Sequence, residues 1–367
     1  LATAGIGMSR LVLVESDARG LRAALLVDRR LEAIEIDRAS KPTLVGAVMP
    51  ADSVRVLKGM GEIVRLADGT DALLERSASV GRAAVLQVLR DGSGDKLPLA
   101  GRSVALVGRA LVHLPLDSGI RASRRLGGPP EARKALQAGL EARAGGWIIR
   151  SAASLVGEAD WRAEIAALAA EGARLAAGAS LPAPDAARRL LCDHGLPAPD
   201  GIQVAGLAAA RSVRRWCEAF APSLLARIEQ HSGGGTLFDL HDLDAAIDAL
   251  AQPRIALPGG GSLIIERTQA LAAIDVNSGA EANTLAVNLA AAPEIARQLR
   301  LRHIGGIVVI DFISLPRARD RARTEAALAA ALASDPTRTQ ILPMSRLGLV
   351  ELSRERRGPE LELESDA

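Results

Sequence analysis

Two apolar runs that each stop at an aspartate, with one helix-patterned stretch between them, restrict this chain's architecture more than any other feature. The first reads A-L-A-A-I-D-V-N-S and carries Asp275; the second reads G-G-I-V-V-I-D-F-I and carries Asp311. Between them, from Asn283 to His303, Leu285, Leu289, Ile295 and Leu299 recur at helical spacing. Strand, helix and strand of this length form one βαβ unit, whose two strands run parallel. Parallel strands end on the same edge of a sheet, so two carboxylates emerge side by side where open α/β sheets place their sites. Neighbouring carboxylates repel unless one is protonated or a cation joins them. A hard divalent ion such as Mg²⁺ suits oxygen ligands, and Asn277 stands ready to add or orient one more. A single strand-ending aspartate is more often a cap or turn residue, a reading that two on adjacent parallel strands weaken.

Bulk charge does not announce a partner. The chain has 45 Lys+Arg against 43 Asp+Glu, so any polyanion must be met by local clusters. Arg297, Arg300 and Arg302 form one cluster, and Arg317, Arg319, Arg321 and Arg323 another; both flank Asp311. A solvated helix face is the competing reading of such runs. Aromatic residues are 2% of the chain, which limits base stacking on aromatic platforms. Cys192 and Cys217 lack metal or redox spacing, as in a reduced, cytoplasmic protein. The five histidines (113, 194, 231, 241 and 303) are scattered and suggest no nucleophilic triad. No apolar run approaches the ~20 residues that span a bilayer, so no membrane association is expected. The residues before Met8 lack the features of a signal peptide and read as a cloning remnant.

Along the chain, residues 10–38 hold three short strands with breaks at Asp17–Gly20 and Asp28–Arg30, an antiparallel meander. Residues 41–114 alternate short strands with turns and suit a small barrel. Residues 129–191 are mostly helical, with Asp160 as the expected cap before Trp161 and I-I-R-S as an intervening strand. Helices are expected again over 205–230 and 238–250. Pro258-Gly-Gly-Gly-Ser262 lacks the Lys-Ser/Thr of a phosphate loop and reads as a hairpin turn. His303 reads as a helix C-terminal residue favoured by the dipole.

Three segments carry a resemblance: I-D-V-N-S, then E-I-A-R-Q-L-R-L-R-H-I-G-G-I-V-V-I-D-F, then M-S-R-L-G-L-V-E-L-S-R-E-R-R. In this order they resemble the catalytic domain of the RNase E/G endoribonucleases, from about Leu263 to Arg357. Upstream, G-G-W-I-I-R-S-A-A is similar to that family's 5′-end sensor, and S-G-I-R-A-S-R-R-L to the entrance of the same subdomain. The resemblance implies an α/β, multi-subdomain fold: an RNase H-like subdomain in two parts (1–40 and 195–254), an inserted OB-type RNA-binding barrel (41–115), a 5′-sensor subdomain (116–194) and a DNase I-like α/β catalytic subdomain (255–367).

It further implies hydrolytic cleavage of single-stranded RNA, in mRNA decay or rRNA processing, leaving a 5′-phosphate and a 3′-hydroxyl. Asp275 and Asp311 would hold Mg²⁺, with Mn²⁺ as substitute, and Asn277 would act beside them. Arg150 and Ser151 match the pocket for a 5′-monophosphate, and Arg124 and Arg346 are candidates for RNA backbone contact. The chain departs from the family in several places. The barrel stretch offers Ile63, Val64, Leu73 and Leu74 where aromatics are usual. The loop after Asp275 is short, with helix onset near Asn283, Ser151 replaces a usual Thr, and His303 stands where Asp is common. No cysteine follows Cys217, so the expectation is no zinc link and a monomer or weak dimer rather than a zinc-linked tetramer. The rival expectation is a homologue that binds RNA with weak or no cleavage.

Overall fold

The computed structural model describes residues 9–361 apart from 58–60, 76–83, 93, 281–282, 346 and 359–360. The protein is of mixed α/β class and divides into two compact units, Leu1–His241 and Asp242–Ala367.

In the first unit, β1 (Arg10–Asp17), β2 (Gly20–Val27) and β3 (Arg30–Arg38) form the expected antiparallel meander. Its second turn sets Asp28 and Arg29 at φ 50° and 64°. Two successive left-handed residues give the type I′ turn whose twist matches the flanking strands. The chain then closes a barrel from β4 (Val48–Leu57), β5 (Gly61–Leu66), β6 (Asp71–Glu75), β7 (Ala84–Arg90) and β8 (Leu99–Gly101), joined in the order β4-β5-β6-β8-β7. Met49, Val64, Leu66, Leu74, Leu86 and Val88 fill its interior. Val64 and Leu74 therefore cannot meet a ligand from outside. Of the four apolar residues expected on the binding face, only Ile63 and Leu73, paired across β5 and β6, point outward.

A second small sheet follows, from β9 (Leu106–Val107), β10 (Leu111–Leu114), β11 (Ile120–Ala122) and, after helix α1 (Pro130–Glu141), β12 (Gly146–Ile149), in the order β11-β12-β10-β9. Trp147, fully buried, stacks on His113 with ring centroids 4.1 Å apart. Helix α2 (Glu158–Ala176) packs on β10. It starts at Glu158, after Gly157, so Asp160 is not its cap. Asp160 is buried in the first turn, where it accepts from Arg109 Nη2 at 2.9 Å and Ser223 Oγ at 2.6 Å. A capping residue and a buried ion-pair partner look alike in sequence; the cation, Arg109, lies 51 residues away.

Helix α3 (Ala186–His194) is capped by Asp185, whose side chain accepts from the Arg188 amide. β13 (Gly201–Ala205), helix α4 (Leu207–Phe220), β14 (Ile228–Gln230) and the single turn α5 (Leu237–Leu240) complete the unit. The expected helix over 205–230 stops at Phe220 because Pro222 disfavours helical geometry at Ala221, which sits at φ −152°. A 3₁₀ segment over Pro222–Arg227 and then β14 follow. β13 runs parallel to β1, so the first sheet has the order β14-β13-β1-β2-β3. Leu190, Leu191, Val213 and Trp216 bury against Val12, Val14, Ala23 and Leu25.

The second unit opens with helix α6 (Leu243–Asp248), separated from α5 by Asp242 at φ 54°. This left-handed residue breaks the expected continuous helix over 238–250. β15 (Arg254–Ala256) and β16 (Ser262–Arg267) form a hairpin over the glycine cluster, as expected. β17 (Leu271–Asn277) pairs antiparallel with β16, and helix α7 (Thr284–Leu301) crosses to β18 (Gly306–Asp311), which lies parallel to β17. Helix α8 (Ala318–Ala333), β19 (Thr339–Ile341) and β20 (Leu349–Arg354) complete a sheet of order β15-β16-β17-β18-β20-β19. Alternation along the strands sends Ile274, Val276, Val308, Ile310, Val350 and Leu352 into a core with Val287, Ala291, Ile295 and Leu299 of α7 and Leu328 and Leu332 of α8.

The first arginine cluster is not a surface stripe. Arg302 is buried, donating through Nε to Gln298 Oε1 at 2.7 Å and through Nη2 to the Gln252 carbonyl at 2.8 Å. Arg297 pairs with buried Glu294 at 3.4 Å. In the second cluster Arg321 donates to the Leu315 and Pro316 carbonyls, while Arg317, Arg319 and Arg323 are exposed. His303 follows the end of α7 in the left-handed conformation, φ 49°. Among the described residues no helix is long and apolar enough to cross a membrane.

Candidate active site

Asp275 and Asp311 are register partners in the parallel β17–β18 ladder. Residues in direct register put their side chains on the same face, and here that face is the one away from α7 and α8. Both aspartates are exposed. Adjacent strands lie about 4.8 Å apart, so the backbone itself sets the two carboxylates within reach of one cation. Asn277, at the end of β17, donates from Nδ2 to Asp275 Oδ2 at 2.7 Å. That bond ties Asn277 to one of the two carboxylates.

The strand ends are held closely. Gly261, at φ 86° in the β15–β16 turn, lies against the Asn277 backbone; a Cβ there would stand 2.6 Å from the Asn277 carbonyl oxygen and 2.9 Å from Val287 Cγ1. Helix α7 begins at Thr284, close to the expected onset, and its cap Asn283 accepts at its side chain from the Ala286 amide. Periodicity alone does not pick out one further residue, Asn288, which is fully buried on α7 and bonded to the backbone just past Asp311. Its only sequence signal is a polar side chain at a position of the helix where the pattern calls for an apolar one.

Among the described residues, no group of three or more His, Cys, Asp or Glu is placed to hold a metal ion. A two-carboxylate set with an adjacent amide fits a hard ion such as Mg²⁺, which keeps several waters and takes further oxygens from a phosphate. It does not fit a structural zinc, which needs four good ligands. The thiols offer no alternative chemistry. Burial pushes Cys192 up to about 11 and Cys217 up to about 12, so both stay protonated at neutral pH.

Arg150 and Ser151 stand in the other unit, where β12 leads into the 3₁₀ segment Ser151–Leu155. Ser151 is exposed; the Arg150 side chain is half-buried. Its Nη1 donates to the carbonyls of Gly108 at 2.6 Å and Cys192 at 3.0 Å, and Nη2 stands 3.8 Å from Asp193. The guanidinium is thus anchored at one end. Arg124 is exposed and leaves the same sheet edge: β11 runs parallel to β12, with Ala122 in register with Ile149, and the Ser123 amide donates to the Ile149 carbonyl. Arg346 lies outside the described residues.

Beneath Arg150 lies a buried polar scaffold that sequence reading missed. The turn that supplies the Gly108 carbonyl is held by Glu164 of α2, whose Oε1 accepts from the amides of Ala110 at 2.9 Å and Leu111 at 2.8 Å. Burial pushes Glu164 up to about 7, against the pull of these two amides and of Arg109 and Arg150. The Ala110 amide also reaches Oε2 at 3.3 Å, so both carboxyl oxygens are held by the turn.

Comparison with known proteins finds relatives along most of the chain. The sequence profile of the Ribonuclease E/G family matches residues 105–357. Ribonuclease G of Escherichia coli is 28% identical over 95% of this chain and 80% of its own length. Ribonuclease E of Nostoc sp. is 32% identical over 75% of this chain and 43% of its own length. The chloroplastic ribonuclease E/G-like protein of Arabidopsis thaliana is 39% identical over 40% of this chain and 16% of its own length.

Proposed function

This chain belongs to the ribonuclease E/G family, and from that premise we propose that it is a Mg²⁺-dependent endoribonuclease that cuts single-stranded RNA during RNA processing or decay. One observation carries the reading: Asp275 and Asp311 face each other across a parallel ladder, exposed, on the side of the sheet that the helices leave open. Held between these carboxylates, Mg²⁺ would supply an activated water and offset charge on the phosphate. Asp275 is held in one rotamer by Asn277, so no side-chain search precedes binding. Asp311 stands beside it on the same face by register rather than by packing. Hydrolysis would leave a 5′-phosphate and a 3′-hydroxyl, with Mn²⁺ able to replace Mg²⁺. Arg150, anchored by two carbonyls, and the exposed Ser151 hydroxyl would receive the 5′-monophosphate of the RNA, and Arg124 on the same edge would meet its backbone.

The test is a 5′-monophosphorylated single-stranded oligoribonucleotide incubated with the protein, with Mg²⁺ or with chelator. Internal cleavage that needs Mg²⁺ and yields 5′-phosphate products is expected. Retention of the RNA without cleavage would instead establish the non-cutting homologue.

A further inference from the structure

Both ladders that hold β18 end at Asp311. Its pairing with β17 closes at Asp275–Asp311, and its pairing with β20 runs from Gly306 to the same aspartate. Past this point the backbone leaves the sheet, and the next bonds it makes are to one side chain. Asn288 of α7 donates from Nδ2 to the Ile313 carbonyl at 2.8 Å and accepts at Oδ1 from the Ile313 amide at 3.1 Å. A side-chain amide thus takes both backbone groups of one residue, the role a neighbouring strand would fill. Asn288 is 0% exposed, among Val287, Ala291, Ala292 and Ile295 on the buried part of α7. Phe312, between clamp and aspartate, is buried in the same core.

We propose that Asn288 is a positioning residue for the Asp275–Asp311 pair: it fixes the exit of β18 and so the place from which Asp311 reaches a metal ion. This rests on the reading of the pair as the metal site. The geometry selects asparagine. Leucine fills the space but bonds neither group; aspartate would set an oxygen against the Ile313 carbonyl; glutamine is one methylene too long for the spacing.

The role separates from simple stabilisation by a metal readout. Mn²⁺ is titrated into the full chain and followed by electron paramagnetic resonance, with folding checked by circular dichroism. The variants are Asn288→Ala, the milder Asn288→Ser, Asp275→Asn, and Leu328→Ala, which empties space in the same core but takes no part in the clamp. Loss of a group that orients a ligand costs about tenfold or more in metal affinity, so Asn288→Ala is expected to raise the Mn²⁺ Kd by at least that factor. The Mg²⁺ concentration for half-maximal cleavage should rise in proportion. Asn288→Ser should move in the same direction, and Leu328→Ala should bind Mn²⁺ as wild type does. If Asn288→Ala does not fold, Asn288→Ser decides. Wild-type Mn²⁺ affinity in a folded Asn288 variant, or an equal loss in Leu328→Ala, overturns the proposal while Asp275→Asn still abolishes binding. If Asp275→Asn binds Mn²⁺ normally, the metal site itself is misplaced and the inference falls with it.

Discussion

The carboxylate pair and the Arg150 site are built on opposite plans. Asp275 and Asp311 are exposed, and their spacing comes from strand register with one amide contact. Arg150 is half-buried, and its spacing comes from a buried network: two carbonyls, a turn clamped by Glu164, and the Arg109–Asp160–Ser223 set beside it. Two neighbouring carboxylates gain from staying in water, because uncompensated carboxylates are costly to bury. A guanidinium partly withdrawn from water takes its direction from the groups that hold it, here two carbonyls with Asp193 at 3.8 Å. The first plan rests on strand register, exposed charge and a single buried amide, Asn288; the second rests on a continuous buried network.

The sharpest way to break this contrast is charge removal at the pair. Asp275→Asn or Asp311→Asn should cut the cleavage rate by a factor on the order of 10² to 10³, as loss of a charge-stabilising group does elsewhere, with the melting temperature nearly unchanged. Equal rates for wild type and both variants at saturating Mg²⁺ would refute the site.

The next effect concerns pH and belongs to the buried plan. Unfolded Glu164 titrates near its ordinary 4.5, whereas burial holds the folded group protonated up to about 7. Between those values the folded state binds more protons, so the contribution of Glu164 to stability is fully present below about 4.5 and is lost as pH rises through about 7. The full span corresponds to about 3 kcal/mol. Urea denaturation at pH 5 and pH 8 should show this loss in wild type and not in Glu164→Gln. Parallel losses in both would remove Glu164 from the account.

Smaller still, Arg150→Ala should abolish the preference for a 5′-monophosphate over a 5′-hydroxyl, about tenfold for one charge-assisted contact, while leaving cleavage of the hydroxyl form intact. A wild type indifferent to the 5′ group would end the sensor reading. Smallest is a gain: Ile63→Tyr on the outer barrel should tighten single-stranded RNA binding about fivefold, since one base–aromatic stack contributes about 1 kcal/mol. Fluorescence anisotropy with a labelled oligonucleotide measures it, and no change would show that this barrel face does not meet RNA.

Legibility follows the same divide. Two strands, one crossover and the aspartate that ends the second can be read locally, because side-chain alternation and helical spacing are short-range and parallel crossovers leave little topological freedom. Asp160 and Arg302 were misread because a charged residue near a helix end obeys surface rules unless its buried partner is known, and Arg109 is remote in sequence from Asp160. The placement of β13 beside β1 left no local trace either, since a ladder of backbone hydrogen bonds is indifferent to side-chain identity. Asn288 fell between the two cases: its polarity was visible, its partner was not.

The direct opposition of Asp275 and Asp311 also decides which kinds of genetic change this protein can survive. Exchanging one aliphatic residue for another under the sheet leaves both carboxylates on their rungs. Deleting one codon between His303 and Ile307, if it slipped β18 by one place, would turn Asp311 toward the helices while the strand still paired, because side chains alternate faces with every residue. The lineage can therefore drift freely in composition here but not in frame length, and shortened or lengthened variants of this connector should be inactive even where they remain folded.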